Sequence, residues 1–129
     1  MDKDGDDGRA LVERYLAAYT SFDVERMCDL LDPAIRFENY ADDQLTASAT
    51  GIDEFRRLAE GSAGLFSARE QKLVSLRVEG STAIAVVMFK GTLARDIEGG
   101  PVAGSTIGLT GKSEFEFNDG RIMRIIDRS

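Results

Sequence analysis

Few groups on this chain can move a proton near neutral pH, because its 129 residues include no histidine and a single cysteine. Serine–histidine and cysteine–histidine mechanisms are therefore excluded, and so are ordinary zinc sites, whose usual ligands are histidine and cysteine. Acid–base chemistry must use carboxylates, tyrosine, lysine or water. We therefore predict no metal site and no cofactor, and the residues of interest are tyrosines and carboxylates that lie on apolar faces.

Three polar residues fall on faces that are otherwise apolar. Tyr15 lies in an apolar stripe at helical spacing, whereas Asn39 and Asp127 each alternate with apolar residues along a strand. If the face of Asp127 points inward, burial raises the pKa of its carboxyl group and makes it a candidate base. Each residue also has a plainer interpretation: a core tyrosine, an asparagine that caps a turn, and a surface aspartate.

Other polar groups are weaker candidates. Asp42 and Asp43 could supply a base at a cavity mouth or oxygen ligands for a cation, but a solvated loop is the simpler interpretation. Lys112 and Ser113 cannot act as a pair, because neighbouring strand residues point to opposite faces. Cys28 follows Met27 within an apolar segment and is predicted to be a buried, inert thiol.

The elements that must position these residues begin with helices. The stripe over 11–19 predicts an amphipathic first helix, and Asp23 is suited to cap a second. Alternation over 34–39 predicts a strand, and 40–51 is predicted to be a polar loop. Thr50 matches the capping box that would open a third helix.

After residue 70 the apolar period changes to two, which predicts strands. Asn118-Asp119-Gly120 is a strong hairpin signal before the last strand. Glycines at 104, 108 and 111 are predicted to form bulges or bends in the strand before it. The fold class is therefore α+β: three N-terminal helices packed on a strongly curved, mostly antiparallel sheet, which forms a cone. The four strands of this part are predicted at 74–79, 82–93, 102–117 and 121–127.

Composition limits the organisation and the partners of the chain. Residues 1–8 are predicted to be a flexible acidic tail, and 9–129 a single domain. The formal net charge of −7 argues against nucleic acid and anionic membranes as partners. The N-terminus lacks the features of a secretory signal, and no apolar run approaches the ~20 residues of a membrane span, so we expect a cytoplasmic protein.

The element order and several local segments resemble the nuclear-transport-factor-2-like superfamily, also called SnoaL-like. The resemblance extends from about Ala10 to Ser129, and its most specific parts are the segment 11–19, the helix that begins after Asp23, and the tail 109–122. It implies a cone-shaped fold with a cavity that binds a small molecule.

The first forty residues are most similar to ketosteroid isomerase. In that family a tyrosine of the first helix and a protonated aspartate bind the developing oxyanion, and a second aspartate is the base. Tyr15 matches the tyrosine, Asn39 stands at the base position, and Ser113 falls near the protonated aspartate. The resemblance therefore implies a related pocket without the usual base, and we predict Tyr15, Asn39 and Asp127 as its catalytic residues.

Two further families of the superfamily are similar in part. Limonene epoxide hydrolase resembles the chain around Phe37-Glu38-Asn39 and near Asp127, but Phe37 stands where that family has tyrosine. Its arginine and aspartate are missing from 85–89, so its charge relay is incomplete. Polyketide cyclases of this type usually use an aspartate–histidine pair, which this chain cannot form.

The resemblance implies a small apolar or aromatic ligand. It also implies a homodimer formed through the sheet. A proton-transfer enzyme of the isomerase, cyclase or hydratase type is the first functional hypothesis, and a non-catalytic dimerisation or interaction module of the same fold is the alternative. The residues predicted to bind the ligand are Tyr19, Phe37, Phe55, Phe66, Met88, Ser113 and Phe115.

Overall fold

The computed structural model describes the backbone of residues 3–129 and the side chains from residue 7 onward, and it contains three helices and six strands. In chain order these elements are α1 (Lys3–Thr20), α2 (Val24–Asp29), β1 (Leu31–Ala41), β2 (Gln44–Thr50), α3 (Ile52–Ala63), β3 (Phe66–Glu79), β4 (Thr82–Leu93), β5 (Thr106–Asn118) and β6 (Arg121–Arg128). Sequence analysis predicts five of the six strands; β2 is the strand that it places in a loop.

The six strands form one sheet in the order β2-β1-β6-β5-β4-β3. β1 and β6 pair in parallel, and the other neighbours are antiparallel. The three helices pack against this curved sheet, with α1 over β3 and α3 over β1 and β2. The predicted α+β class and cone-shaped fold are therefore confirmed.

Helix α1 buries the stripe that predicts it, since Leu11, Val12, Tyr15 and Leu16 are all buried. Full burial of one such apolar side chain is worth about 1.5–3 kcal/mol, which explains why the helix packs with this face toward the sheet. Within residues 3–129, no helix is long and apolar enough to cross a membrane.

The N-terminal segment differs from the predicted flexible tail over 1–8. Helix α1 already begins at Lys3, and residues 1–2 lie outside the described part of the chain. Gly8 is buried, and a Cβ atom at this position would come within 3.0 Å of the Phe117 ring. The end of this segment therefore packs on the sheet.

The predicted caps have different outcomes. Asp23 caps α2 as predicted, because its carboxylate accepts a hydrogen bond from the Arg26 backbone N–H at 3.0 Å. Helix α3 instead has Gly51 at its N-cap, with φ of 87° and no side-chain hydrogen bond. The predicted capping box is wrong because Thr50 still belongs to β2, where it is paired with Arg36.

Strand β2 is not predicted from the sequence because its residues, apart from the exposed Leu45, are small or polar. Only Ala49 is fully buried, so the alternation with Thr and Ser carries little apolar contrast. β2 is also an edge strand, which needs fewer buried residues than a central one. The signal that indicates the hairpin is Asp42-Asp43, which forms the turn with φ values of 51° and 63°, a region that aspartate tolerates better than most residues.

Strand β3 contains a register shift between Leu73 and Ser75. Leu73 and Leu76 are consequently both half-buried, while Val74 is 56 % exposed. The period-two alternation that predicts this strand is therefore interrupted between Leu73 and Ser75. The strand also begins at Phe66, so residues before 70 belong to the sheet.

The predicted bulges at the glycines of β5 are absent from its pairing with β4, which is regular throughout the paired region 106–116. The irregularity of β5 lies instead between Glu116 and Phe117, opposite β6. Position 111 requires glycine for another reason, because a Cβ atom there would lie 2.6 Å from the Arg128 carbonyl oxygen. The predicted hairpin at Asp119-Gly120 is present, with φ values of 50° and 76°.

Candidate functional site

A cavity of about 400 Å³ lies between the helices and the inner face of the sheet. Its lining is mostly apolar and aromatic with a few polar groups, the composition typical of small-molecule sites. The aromatic residues on its surface are Tyr15, Tyr19, Phe37, Phe55, Phe66 and Phe89. The polar side chains on its surface include Asn39, Arg69, Gln71, Ser113 and Asp127.

Three of the predicted site residues form a row across the sheet. Asn39 on β1 is paired with Asp127 on β6, and Asp127 is paired with Ser113 on β5. Paired residues of neighbouring strands point to the same face, and this face carries the cavity. A carboxyl group therefore stands between an amide and a hydroxyl group on the cavity floor.

Asp127 is the central group of this row. The Ser113 hydroxyl donates a hydrogen bond to Asp127 Oδ1 at 2.7 Å. Burial raises the pKa of the Asp127 carboxyl from 3.8 to about 6, and the hydrogen bond from Ser113 opposes part of that rise. At neutral pH this carboxylate is mostly ionised but far more basic than a surface aspartate, as a general base requires.

Tyr15 lies on α1 above this row, on the surface of the cavity. Among residues 7–129 its hydroxyl has no hydrogen-bond partner, and the hydroxyl oxygen is not one of the buried polar atoms shut off from solvent. Burial, together with the nearby Asp127 carboxylate, raises the pKa of Tyr15 well above 10. Tyr15 is therefore protonated at any physiological pH and can donate a hydrogen bond into the cavity.

Asn39 is held in place by the neighbouring strand. Its Nδ2 donates to Thr46 Oγ1 at 2.7 Å, and Thr46 Oγ1 donates in turn to the Asn39 carbonyl oxygen at 3.1 Å. A side-chain amide has two N–H donors and one carbonyl acceptor. The bond to Thr46 uses one of the N–H donors of Asn39, so the other donor and the side-chain carbonyl stay available. Asn39 can orient a ligand or a water molecule, but an amide has no useful basicity.

The predicted aromatic lining is partly brought together. Tyr19, Phe37, Phe55 and Phe66 all line the cavity, and Phe37 and Phe55 make an edge contact with ring centroids 5.8 Å apart. Their roles in binding a ligand stay predictions. Such rings give a flat, apolar surface that suits a planar ligand.

Met88 and Phe115 are corrections to the predicted ligand-binding set. Met88 lies on the outer face of β4 and is 49 % exposed, because its neighbours Val87 and Phe89 take the inward positions. Phe115 points inward but is 2 % exposed and packs under Tyr15, with ring centroids 6.2 Å apart. Phe115 is therefore a core residue below the cavity.

The remaining candidates lie apart from the cavity. Asp42 and Asp43 form the exposed β1–β2 turn, so neither is a base at the cavity. Cys28 is buried, and burial raises the pKa of its thiol, as predicted for an inert cysteine. Among the side chains from residue 7 onward, no cluster of three or more His, Cys, Asp or Glu residues could hold a metal ion.

Sequence reasoning missed Arg69, which lies on the cavity surface and is 6 % exposed. The regular alternation starts only after residue 70, so the sequence predicts that the segment around Arg69 precedes the strand. Because of the register shift in β3, Arg69 and Val78 both point inward although one position is odd-numbered and the other is even-numbered. Arg69 opens the polar run Arg69-Glu70-Gln71-Lys72, so no local pattern indicates that its side chain is buried.

The fold and the site can be compared with known proteins. TsrD from Streptomyces laurentii is 27% identical with a TM-score of 0.78, over 98% of this chain and 89% of that one. An epoxide hydrolase of the limonene-epoxide-hydrolase-like type from M. tuberculosis is 17% identical with a TM-score of 0.77, over 96% and 83%. A protein with a ketosteroid isomerase-like fold from Catenulispora acidiphila is 13% identical with a TM-score of 0.76, over 91% and 82%.

These likenesses to solved structures concern the fold. No curated protein matches the sequence significantly. The family comparison is more specific, because the profile of the SnoaL-like domain matches residues 12–125, from α1 to β6. With the cone-shaped fold and this match over most of its length, the chain belongs to the SnoaL-like domain family, within the nuclear-transport-factor-2-like superfamily.

Proposed function

We propose that this protein binds a small, planar, mostly apolar carbonyl compound and catalyses a proton transfer on it, as isomerases, cyclases and hydratases do. The observation that carries the proposal is the placement of the Asp127 carboxylate, hydrogen-bonded by Ser113 at 2.7 Å, on the floor of a mostly apolar cavity. A carboxylate in such surroundings is a stronger base than one in water.

The proposed step uses two groups of the cavity. The Asp127 carboxylate removes a proton from the carbon next to the ligand carbonyl, and the electron pair moves to the carbonyl oxygen. The Tyr15 hydroxyl donates a hydrogen bond to that oxygen as its negative charge develops. The protonated Asp127 then returns its proton to a different carbon or to the oxygen, which completes an isomerisation without any co-reactant.

Asn39 and Ser113 support this step from either side of Asp127. Ser113 holds the carboxylate in one orientation, and the Asn39 amide can bind a second polar group of the ligand. In the ketosteroid isomerase resemblance the base stands on the first strand; here the carboxylate stands on the neighbouring strand, β6, at the paired position. The geometry therefore supports the same type of chemistry with a relocated base.

The experiment that tests the proposal is α-proton exchange of 2-tetralone in D₂O, followed by NMR with and without the protein. We expect wild type to accelerate exchange and Asp127→Asn to lose about 100-fold or more, the usual contribution of a general base. Asp119→Asn is the matched control, since this exposed turn aspartate has φ of 50°, which asparagine also tolerates. Equal exchange by wild type and Asp127→Asn would refute the assignment of the base.

Tyr15→Phe tests the second group in the same assay. We expect exchange to slow by about 100-fold or more, because the developing oxyanion loses a hydrogen bond. Tyr40→Phe is the control, since Tyr40 lies outside the cavity and donates to Glu38 at 3.0 Å. An unchanged rate in Tyr15→Phe would place the carbonyl elsewhere in the cavity.

The homodimer is proposed on a separate observation. On the outer face of β4, which points away from the cavity, the apolar side chains of Ile84 and Met88 are 40 % and 49 % exposed. We propose that a second copy of the chain covers this face. The open cavity supports a ligand-binding role for the inner face, so dimerisation would accompany that role rather than replace it.

A further inference from the structure

Arg69 on β3 is a buried cation with incomplete hydrogen bonding. Its residue exposure is 6 %, and its Nε donates to the Tyr19 carbonyl oxygen at 2.8 Å. Among the described residues, its Nη1 and Nη2 atoms are buried and have no hydrogen-bond partner. Buried polar atoms nearly always have a partner, so this pair of donors requires an explanation.

The surroundings of Arg69 supply no counter-charge. The Arg69 Cζ atom lies 3.7 Å from the ring centroid of Tyr19 and 4.5 Å from that of Phe22. Within residues 7–129, no carboxylate lies within 4.0 Å of the guanidinium, since the ion pairs there involve other arginines. Aromatic rings attract a cation only weakly compared with a carboxylate.

A structural role explains part of this arrangement. Arg69 lies at the C-terminal end of α1, which has no basic residue in its last turn, and a cation is favourable at this end of a helix. The Tyr19 carbonyl oxygen, however, also accepts from the Phe22 N–H at 3.1 Å and does not depend on Arg69. Capping by Nε leaves the four N–H groups on Nη1 and Nη2 unused.

We propose that Arg69 binds a carboxylate of the ligand, so that the substrate class is a planar, unsaturated or aromatic carboxylic acid. This inference rests on the proposed function, because it assumes that the same cavity, which Arg69 lines, receives the substrate. The flat guanidinium fork matches a carboxylate with two parallel hydrogen bonds. A carboxylate bound beside the guanidinium would give its terminal donors the acceptors that they lack.

This assignment divides the cavity into two polar ends. Tyr15, Asn39 and Asp127 lie where the proton transfer is proposed, whereas Arg69 lies beside Tyr19 at the end of α1. A ligand carboxylate near Arg69 would avoid the negative charge of Asp127 and leave the reacting carbonyl for Tyr15. The aromatic side chains between the two ends would contact the flat part of the ligand.

The test compares two probe compounds of the same shape, 2-naphthoate and 2-naphthamide, by isothermal titration calorimetry at pH 7.5 with the full chain. We expect wild type to bind the naphthoate at least tenfold more tightly than the naphthamide. Arg69→Gln should remove this preference and leave the affinity for the naphthamide within about twofold. Arg121→Gln, an exposed arginine of β6, is the matched control and should keep the preference.

Arg69→Lys guards against a folding failure of the glutamine variant. Lysine keeps the positive charge but lacks the flat guanidinium fork. We therefore expect the ratio of its affinities for naphthoate and naphthamide to lie between the wild-type ratio and one. Circular dichroism and thermal unfolding show whether each variant folds. A purely structural Arg69 would lower the midpoint of unfolding when replaced and leave the ratio of the two affinities unchanged.

The inference is overturned if wild type binds the two compounds equally or binds neither, or if Arg69→Gln folds and retains the preference. None of these results affects the proposed function, whose test uses a neutral ketone and the Asp127 carboxylate. Conversely, wild type could fail to accelerate ketone exchange and still prefer the naphthoate. That result would refute the proton transfer and retain the anion-binding cavity.

Discussion

Asp127 joins the chemistry of the cavity to the stability of the fold. Its pKa is 3.8 in an unfolded chain and about 6 in the folded protein, so the native state binds more protons between these values. The free energy of unfolding therefore decreases as the pH rises from about 4 to 6 on account of this group, and the penalty is complete above that range. A residue placed for stability alone would have the opposite shift.

The first prediction at the residue scale concerns this penalty. Asp127→Asn should raise the free energy of unfolding by about 1–2 kcal/mol at pH 8 and change it little at pH 4, because asparagine removes the buried charge. The asparagine Oδ1 can still accept the hydrogen bond from Ser113. Urea unfolding at both pH values measures the difference, with Asp119→Asn as the control. A loss of stability at pH 8 would contradict the burial of the charge.

The dependence of activity on pH follows from the raised pKa of Asp127. The exchange rate of the bound ketone should rise through about pH 6 and level off above pH 7, because Asp127 acts only when ionised. Tyr15 stays protonated over this range, since burial raises its pKa well above 10. A rate that does not change between pH 5 and 7 would exclude Asp127 as the base.

A third residue-scale prediction concerns Asn39, which stands at the base position of the ketosteroid isomerase resemblance. Asn39→Asp should gain measurable isomerisation of 5-androstene-3,17-dione, followed by the absorbance of the conjugated product. The new carboxylate would lie beside Asp127, so the pair would titrate in two coupled steps. Asn118→Asp, in the exposed hairpin, is the control. Complete inactivity of a folded Asn39→Asp protein would count against this alignment.

At the scale of elements, the β1–β2 hairpin holds Asn39 and is closed by a strained turn. Asp43 has φ of 63°, a conformation that costs glycine far less than other residues. Asp43→Gly should therefore raise the free energy of unfolding by about 0.5–1 kcal/mol. Thermal unfolding measures the change, and Asp53→Gly, in the first turn of α3, should instead lower stability. A lower stability of Asp43→Gly would show that the backbone conformation at Asp43 does not reduce the free energy of unfolding.

Bulges also act at this scale, because one extra residue changes which side chains reach the cavity. The register shift between Leu73 and Ser75 lets Leu76 turn inward although its parity differs from that of Leu73, whereas Arg69 and Gln71 line the cavity from the part of the strand before the shift. On β4 the pairing is regular, so Val87 and Phe89 share the inner face and Met88 takes the outer one. The composition of the cavity is therefore decided strand by strand.

At the scale of the whole molecule, the outer sheet face is the proposed dimer interface. Light scattering should give a mass near twice the 14.1 kDa of the chain for wild type, and Met88→Lys should weaken the dimer by at least tenfold. A buried, unpaired lysine at an interface centre costs several kcal/mol, which explains the size of the effect. Val102→Lys, on an exposed connection, is the matched control. A monomeric wild type would refute the dimer and leave the cavity proposals intact.

Local patterns in the sequence determined much of this protein. The buried stripe of α1, the Asp23 cap and the Asp119-Gly120 hairpin follow from neighbours in the chain, and the positions of Tyr15, Asn39 and Asp127 on apolar faces follow from helical or strand periodicity. The absence of histidine already excluded the commonest acid–base mechanisms. The family resemblance depended on these same local segments and on their order.

Only the tertiary structure decided which of these groups meet. The pairing of Asn39, Asp127 and Ser113 depends on strand register, and the exposure of Met88 depends on which parity of β4 faces the helices. Arg69 is a buried cation because Tyr19 and Phe22, at and beyond the end of α1, pack against its guanidinium. Register, burial and electrostatic surroundings arise from contacts between residues far apart in the chain, and periodicity along one strand carries no information about them.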